Sequence, residues 1–267
     1  MKLYVKARSS YRSDSDVCVI KKELKQKYKV DTRRKDDFIH AGLLGALRLR
    51  DEVSINTDDE LYLTSGVGNF NIISSVYEAM IKNRELMKIF DFINILGNTT
   101  SFYVANELGI KAKALFSISD NFTYFHSLIN IYASLKCSSN EAILGAIDIV
   151  SEDASIIKRM LDLENSVSLV SSVCYQKLTL EKENALCEIG FDTEFYNLAK
   201  IKDIIKKENL KVVCSMRCKE LECDKPLHFF ETFGASVVND AIASKEDILF
   251  IECYDGKYKI LKIRGLK

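Results

Sequence analysis

The stretch Lys111 to Lys136, KAKALFSISDNFTYFHSLINIYASLK, decides the fold. KAKALFSI carries its apolar side chains densely enough for a short strand. Asp120 and Asn121 follow, residue types whose side-chain oxygens accept from the free N–H groups of a helix start. Beyond them Phe122, Phe125, Leu128, Ile129, Tyr132 and Leu135 recur at helical spacing, and Tyr124 and Ile131 widen the stripe. A helix apolar over so much of its circumference belongs in the middle of a domain. The stretch is therefore a strand feeding a buried helix.

The same alternation recurs on both sides. KLYVKA alternates at period two, and DDFIHAGLLGALRL repeats at helical spacing behind the capping types Asp31 and Thr32. LYLTSG precedes FNIISSVYEAMIK, and NLKVVCSM supplies a late strand. The class is α/β. The polar interval SEDASIIKRMLDLENS reads as an exposed helical connection. With one proline, Pro226, and no Gly/Ser-rich tract, no flexible linker divides the chain.

Composition bounds the partners. Thirty-eight basic and thirty-eight acidic residues cancel, so no global field favours nucleic acid or an anionic membrane. The start, MKLYVKARSSYRSD, lacks an apolar region, and no apolar run approaches the roughly 18 residues of a membrane span. These features predict a cytoplasmic protein. Eight cysteines without a secretory signal are expected to be reduced thiols. Cys214, Cys218 and Cys223 have C-x3-C-x4-C spacing with no suitably placed histidine, a weak zinc pattern, and no metal is expected.

Several segments, in order, resemble the β-ketoacyl synthases of the thiolase-like superfamily. They are KYKVDTRRKDDFIHAGLLGAL, LGNTTSFYVANELGIKAKALFSISDNFTYFHSLINIYASLK, NEAILGAIDIV, SSVCYQKLTLEKENAL, KPLHFFETFGASVVNDAI and ILFIECYDGKYKILKIRG. The resemblance implies a layered α-β-α-β-α fold of two pseudo-duplicated halves within one compact domain. An N-terminal half would span residues 1–182 and a shortened C-terminal half 183–267. Loops would be trimmed chiefly between Val150 and Val167 and between Glu188 and Lys211.

A ketosynthase needs a cysteine at the N-terminus of its buried helix, where backbone N–H groups stabilise the thiolate and the thioester oxyanion. The matching positions here are Asp120 or Asn121. The family's two histidines fall on Met216 and Glu231, and its active-site lysine on Lys225. Methionine donates no hydrogen bond, and an ionised glutamate repels a developing enolate. Shifting the register rescues nothing. The chain has only His40, His126 and His228, and no cysteine lies between Cys18 and Cys137. Glu231 is left to cap the following helix or to pair with a base across a dimer interface.

The resemblance then implies a non-catalytic subunit of the chain-length-factor type. It would form a heterodimer with an active ketosynthase, serve an acyl carrier protein and need no cofactor. Its setting would be type II fatty-acid or polyketide-like biosynthesis, with aryl polyene pathways as the finer expectation. Phe122, Phe125, Phe229, Phe230 and Phe233 are candidates for the wall of the acyl pocket, against core packing as the plainer role. Two alternatives come from other classes: an acyl-transfer or thioester-hydrolysing enzyme using Cys174 or Cys214, and a stand-alone binding protein on the same fold.

Overall fold

A single mixed sheet organises the chain, and its strand order explains the layers on either side. The computed structural model describes residues 1–13, 18–119, 121–138, 140–150, 154–225 and 230–266. Nine strands appear among them: β1 (Lys2–Ser13), β2 (Glu60–Ser65), β3 (Ala114–Ile118), β4 (Ala142–Asp148), β5 (Ser171–Thr179), β6 (Cys187–Gly190), β7 (Lys211–Cys214), β8 (Ile248–Tyr254) and β9 (Lys257–Gly265). They run in the order β3-β2-β4-β5-β1-β6-β9-β8-β7. β2 is parallel to both β3 and β4, β4 is antiparallel to β5, and β5 to β1. The far side repeats the scheme, with β7 parallel to β8, β8 antiparallel to β9, and β9 to β6. The halves join where β1 and β6 pair antiparallel. The second half has no described counterpart of β3.

Helices α6 (Thr123–Leu135) and α9 (Phe233–Ser244) fill the space between the two half-sheets. Tyr124, Leu128, Ile131 and Leu135 of α6 and Ala235, Val238 and Ala241 of α9 share one core with Leu3, Val5, Leu144, Leu178, Ile189, Phe250 and Ile263. A second core lies on the outer face of the first half. There α1 (Cys18–Gln26), α2 (Asp37–Glu52) and α5 (Gly97–Leu108) cover Leu61, Ile143, Val173 and Tyr175. A third, under α8 (Leu198–Glu208), covers Leu249, Ile251 and Ile260. This is the expected α-β-α-β-α layering. β1 serves two layers because a bulge between Val5 and Ala7 exchanges its faces: Leu3 and Val5 point to the central helices, Ala7 to the outer ones.

Three polar side chains caught between the layers form one chain of hydrogen bonds. Tyr124 Oη donates to Gln176 Oε1 at 2.6 Å, Gln176 Nε2 donates to Asn239 Oδ1 at 3.0 Å, and Asn239 Nδ2 donates to the Ser9 carbonyl at 2.9 Å. The Gly-Ala-Ser segment that invites comparison with a ligand-facing turn is the first turn of α9. A Cβ on Gly234 would stand 2.8 Å from the Tyr124 ring, so this glycine serves the approach of α9 to α6.

Two local expectations need correction. The N-cap of α2 is Asp36, whose side chain accepts from Ile39 N at 3.0 Å; Asp31 instead binds Arg33. Cys214 and Cys223 are joined in a disulfide with Cα atoms 6.1 Å apart, not kept as free thiols. The return of the chain brings them together: Cys214 N donates to Asp224 O at 2.9 Å, and Asp224 bridges Val213 as if it were a further strand beside β7. That pairing covers the free edge of β7.

At the opposite edge no strand pairs beyond β3 among the described residues. β3 is an exposed strand, with Leu115 43% and Ile118 52% accessible. The excursion before it holds α3 (Phe70–Tyr77), a π-helical turn (Glu78–Lys82) and α4 (Ile89–Ile95). It also faces outward, exposing Tyr77, Ile81, Leu86, Ile89 and Phe92.

Phe125 packs edge-on against Phe122 and stacks on Phe250 within the central layer. Phe125→Ala is expected to lower unfolding free energy by about 3–5 kcal/mol. Phe102→Ala, on the exposed side of α5, is expected to change it by under about 0.5 kcal/mol. Denaturant titration of both variants measures the difference.

Candidate functional site

The bend at the mouth of α6 is where the resemblance puts chemistry. Phe122 occupies the N-cap of α6 in the left-handed region, φ 47° and ψ 29°, with no side-chain cap. A β-carbon is strained in that region, and sites that aim a side chain from a strand-to-helix bend tolerate it. Neither sequence candidate takes the position. Asn121 lies one residue earlier, its carbonyl accepting from Ser119 Oγ at 2.8 Å, and Asp120 lies outside the described residues. The phenyl ring of Phe122 is buried against Phe125 and Phe195, with centroids at 6.3 and 5.4 Å.

A carboxylate takes the backbone donor at this bend. Glu252, from the middle of β8, accepts from Phe122 N at 3.0 Å. Glu231, only 1% exposed at the approach to α9, lies near enough to Glu252 for the two carboxyl groups to repel each other. Gly66 makes room: a Cβ there would stand 2.8 Å from Glu231 Cβ. Arg217, from the turn after β7, brings Nη1 to 2.5 Å from Glu231 Oε1, an ion pair without aligned hydrogen-bond geometry. Its Nη2 donates to the Leu161 carbonyl, and its guanidinium lies 5.0 Å over the Tyr254 ring. Asp148, at the end of β4, is fully buried beside them. It accepts from Ser65 Oγ at 2.8 Å, Gly66 N at 2.9 Å and the Thr232 hydroxyl.

Three buried acids thus lie close together, with Arg217 paired to Glu231 and Lys259 across the ladder from Glu252 as the cations beside them. Burial drives Glu231 far above the ordinary carboxylate range, repulsion from Glu252 adds to it, and Arg217 only partly offsets them. Burial also pushes Glu252 up to about 7, against the opposing hydrogen bonds from Glu231 and Phe122 N. Asp148 is pushed up to about 6 by burial, with the Thr232, Ser65 and Gly66 donors pulling the other way. Burial and mutual repulsion thus favour a protonated form of the Glu231–Glu252 pair, against the pull of Arg217.

The remaining sequence candidates scatter. Met216 is half-buried next to Arg217, and Lys225 is exposed. Glu231 neither caps α9 nor waits for a base from another chain, since its base is Arg217 of the same chain. Among the wall candidates, Phe122, Phe125 and Phe233 sit in the central core with Phe250, while Phe230 packs with Val67, Ile157 and Leu161. Phe229 and His228 lie outside the described residues. His126 is half-buried beside the Phe122 ring. The alternative nucleophiles are occupied or sealed. Cys214 is in the disulfide, and Cys174 is buried among Ser172, Ser236 and Ser10, its thiol pushed up by burial.

Sequence reasoning missed Arg217, Glu252 and Asp148. The signal was present for two of them: a lone acid within the apolar run ILFIECY and another closing AILGAID, where unpaired charge is rare. Arg217 gave no such sign.

No protein-family model and no curated protein matches the sequence. Solved structures do share the fold. The ishigamide ketosynthase/chain length factor superposes with a TM-score of 0.74 at 9% identity, over 100% of both chains. AntDE:AntF, a type II PKS acyl-carrier protein in complex with its ketosynthase bound to the hexaketide, gives 0.70 at 15% identity over 99% of both. The ketosynthase ApeO in complex with its chain length factor ApeC from Xenorhabdus doucetiae gives 0.59 at 8% identity, over 98% of this chain and 99% of that one. The fold is thus the thiolase-like fold of ketosynthases and chain length factors. Among the described residues no helix is long and apolar enough to cross a membrane.

The raised acids fix the pH response. With Glu252 and Asp148 raised to about 7 and 6, the folded chain binds more protons than the unfolded chain, whose carboxylates titrate near ~4. Their contribution is fully present below that unfolded value and is lost as pH rises through 6 and then 7. The melting temperature is expected to fall between pH 5.5 and 8. Glu252→Gln should flatten that slope, recovering on the order of 2–3 kcal/mol at pH 8 relative to its effect at pH 5. Thermal melts of both proteins across that range measure it.

Proposed function

We propose that this chain is a non-catalytic subunit of the chain-length-factor type, which pairs with an active ketosynthase in type II fatty-acid or polyketide-like biosynthesis. One observation carries the reading. At the bend where a ketosynthase would present its thiol, this chain presents the phenyl ring of Phe122, and the backbone N–H that would receive an oxyanion is already held by Glu252. A phenyl group cannot form a thioester, and a carboxylate there opposes rather than stabilises developing negative charge. The interior is also filled, because Phe122, Phe125, Phe233 and Phe250 contact one another in series.

The partner follows from the β3 edge. An edge strand that offers unpaired backbone groups beside exposed apolar side chains is a template for another chain. β3 is such a strand, and the neighbouring excursion adds Ile81, Ile89, Phe90 and Phe92 to the exposed apolar surface. Apolar exposure on that scale marks an association surface. The ishigamide and ApeO–ApeC structures each contain a ketosynthase together with a chain length factor, which supports assigning a ketosynthase to this face. An acyl carrier protein is the substrate-bearing partner of the assembly, and an aryl polyene or related pathway is the finer setting we assign to it.

Co-expression with a ketosynthase encoded nearby, with a tag on only one chain, is expected to yield a complex that condenses acyl thioesters while this chain alone does not. Elongation by the isolated chain would end the non-catalytic reading. A monodisperse chain that ignores the ketosynthase would favour the stand-alone binding protein. Leu115→Lys with Ile118→Lys should weaken association about tenfold or more while leaving the unfolding midpoint of the isolated chain within a few degrees. Sedimentation and thermal melts read the two effects separately.

A further inference from the structure

The excursion between β2 and β3 has almost no core of its own. Of residues 70–96 only Val76 and Asn94 are buried, and the π-helical turn buries nothing. A segment with so few buried apolar contacts opens at low free-energy cost unless something else ties it down. Hydrogen bonds at its two ends do so. Asn69, which opens the excursion, is 7% exposed, and its Nδ2 donates both to Asp36 Oδ2 at 2.6 Å and to the Asn94 carbonyl at 3.1 Å. Asn94, near its close, is 6% exposed, and its Nδ2 donates to the Arg34 carbonyl at 3.3 Å. The Asn69 side chain therefore joins the two ends to each other and to the loop before α2. Its bond to Asp36 is charge-assisted, a stronger class than a neutral pair. The same aspartate caps α2 through Oδ1, so the tie ends on a helix packed in the second core. The Arg34 guanidinium adds a contact, 4.5 Å over the Phe90 ring. Gly68, at φ 65°, and Gly97 flank the excursion, and a Cβ on them would stand 2.6 Å from Ile118 and 2.7 Å from Phe116 of β3, respectively. Both roots of the excursion are thus seated on β3.

We infer that Asp36, Asn69 and Asn94 form a latch that holds residues 70–96 in one pose beside β3, and that a ketosynthase subunit docks on this pre-set pose. Asn69 and Asn94 are positioning residues. Both are buried, and they act through the exposed Ile81, Ile89, Phe90 and Phe92. A surface already held in its bound pose is spared the ordering cost of association, so loosening the latch weakens binding without removing a contact. That a ketosynthase is the partner rests on the reading proposed above; how the excursion is held does not.

Hydrogen exchange read by mass spectrometry on the isolated full chain tests the latch. Asn69→Ala removes both bonds made by that side chain. Asp36→Asn keeps an oxygen for the α2 cap and sets an amide against Asn69 Nδ2. Each is expected to speed exchange in peptides from 70–96 about tenfold or more, while peptides from α6 and β5 keep the wild-type rate. Asn197→Ala, which deletes the side-chain cap of α8, is the control and should leave 70–96 unchanged. Unaltered exchange of 70–96 in Asn69→Ala overturns the latch, and so does acceleration spread evenly over the chain or repeated in Asn197→Ala. Sedimentation with the co-expressed ketosynthase reads the consequence, where Asn69→Ala should bind about fivefold more weakly or worse. Wild-type affinity in a variant whose excursion exchanges freely overturns the docking half of the inference. A wild-type chain that never binds the ketosynthase ends the subunit reading and that half with it, and the latch then stands or falls by the exchange rates.

Discussion

The constraint on which the architecture rests is how little of the central helices is left to water: only Asn130 and Ala133 of α6 and Asp240, Ala243 and Ser244 of α9 are exposed. α6 and α9 bury Tyr124, Phe125, Leu128, Ile131, Val237, Val238 and Ala241 around most of their circumference, so neither can lie on an ordinary sheet surface with one face in water. Each must be enclosed from both sides. One half-sheet covers them from below and the other from above, and the outer helices then seal the remaining sheet faces. Five layers are what this chain needs to hide two such helices.

Enclosure also explains the chemistry of the α6 mouth. Any charge placed there leaves water and must find its compensation within the chain, where Arg217 and Lys259 stand beside Glu231, Glu252 and Asp148. The deficit is met by protons and by donors from Ser65, Gly66, Thr232 and Phe122. The same enclosure places Phe122 under strain in a position where a reactive side chain would gain from it, and the ring gains only packing.

Most of the framework was legible in the sequence because hydrophobic period reports which face is buried. The strand and helix of 111–136, the KLYVKA strand and the helix over DDFIHAGLLGALRL follow directly from that signal. The site was less legible than the framework. That no cysteine or histidine pair stood in the right context could be read from counts, and Glu231 could be named. The register could not be read, since nothing in SISDNFTY says which residue will take the left-handed bend, and it is Phe122. Arg217, Glu252 and the Cys214–Cys223 bond arise from chain segments brought together by the second half-sheet, a distance relation that local pattern does not carry. The outward turn of residues 70–96 was likewise hidden. An amphipathic period marks an apolar face without saying whether that face is covered by its own chain.

The two ends of the sheet are unlike, and this limits how copies can add. At β7 the returning segment around Asp224 occupies the hydrogen-bonding edge, held there by the Cys214–Cys223 bond. At β3 the edge is open. Growth by strand addition needs two available ends per molecule to propagate, and the described residues leave one. Strand addition at β3 would therefore close after a single event.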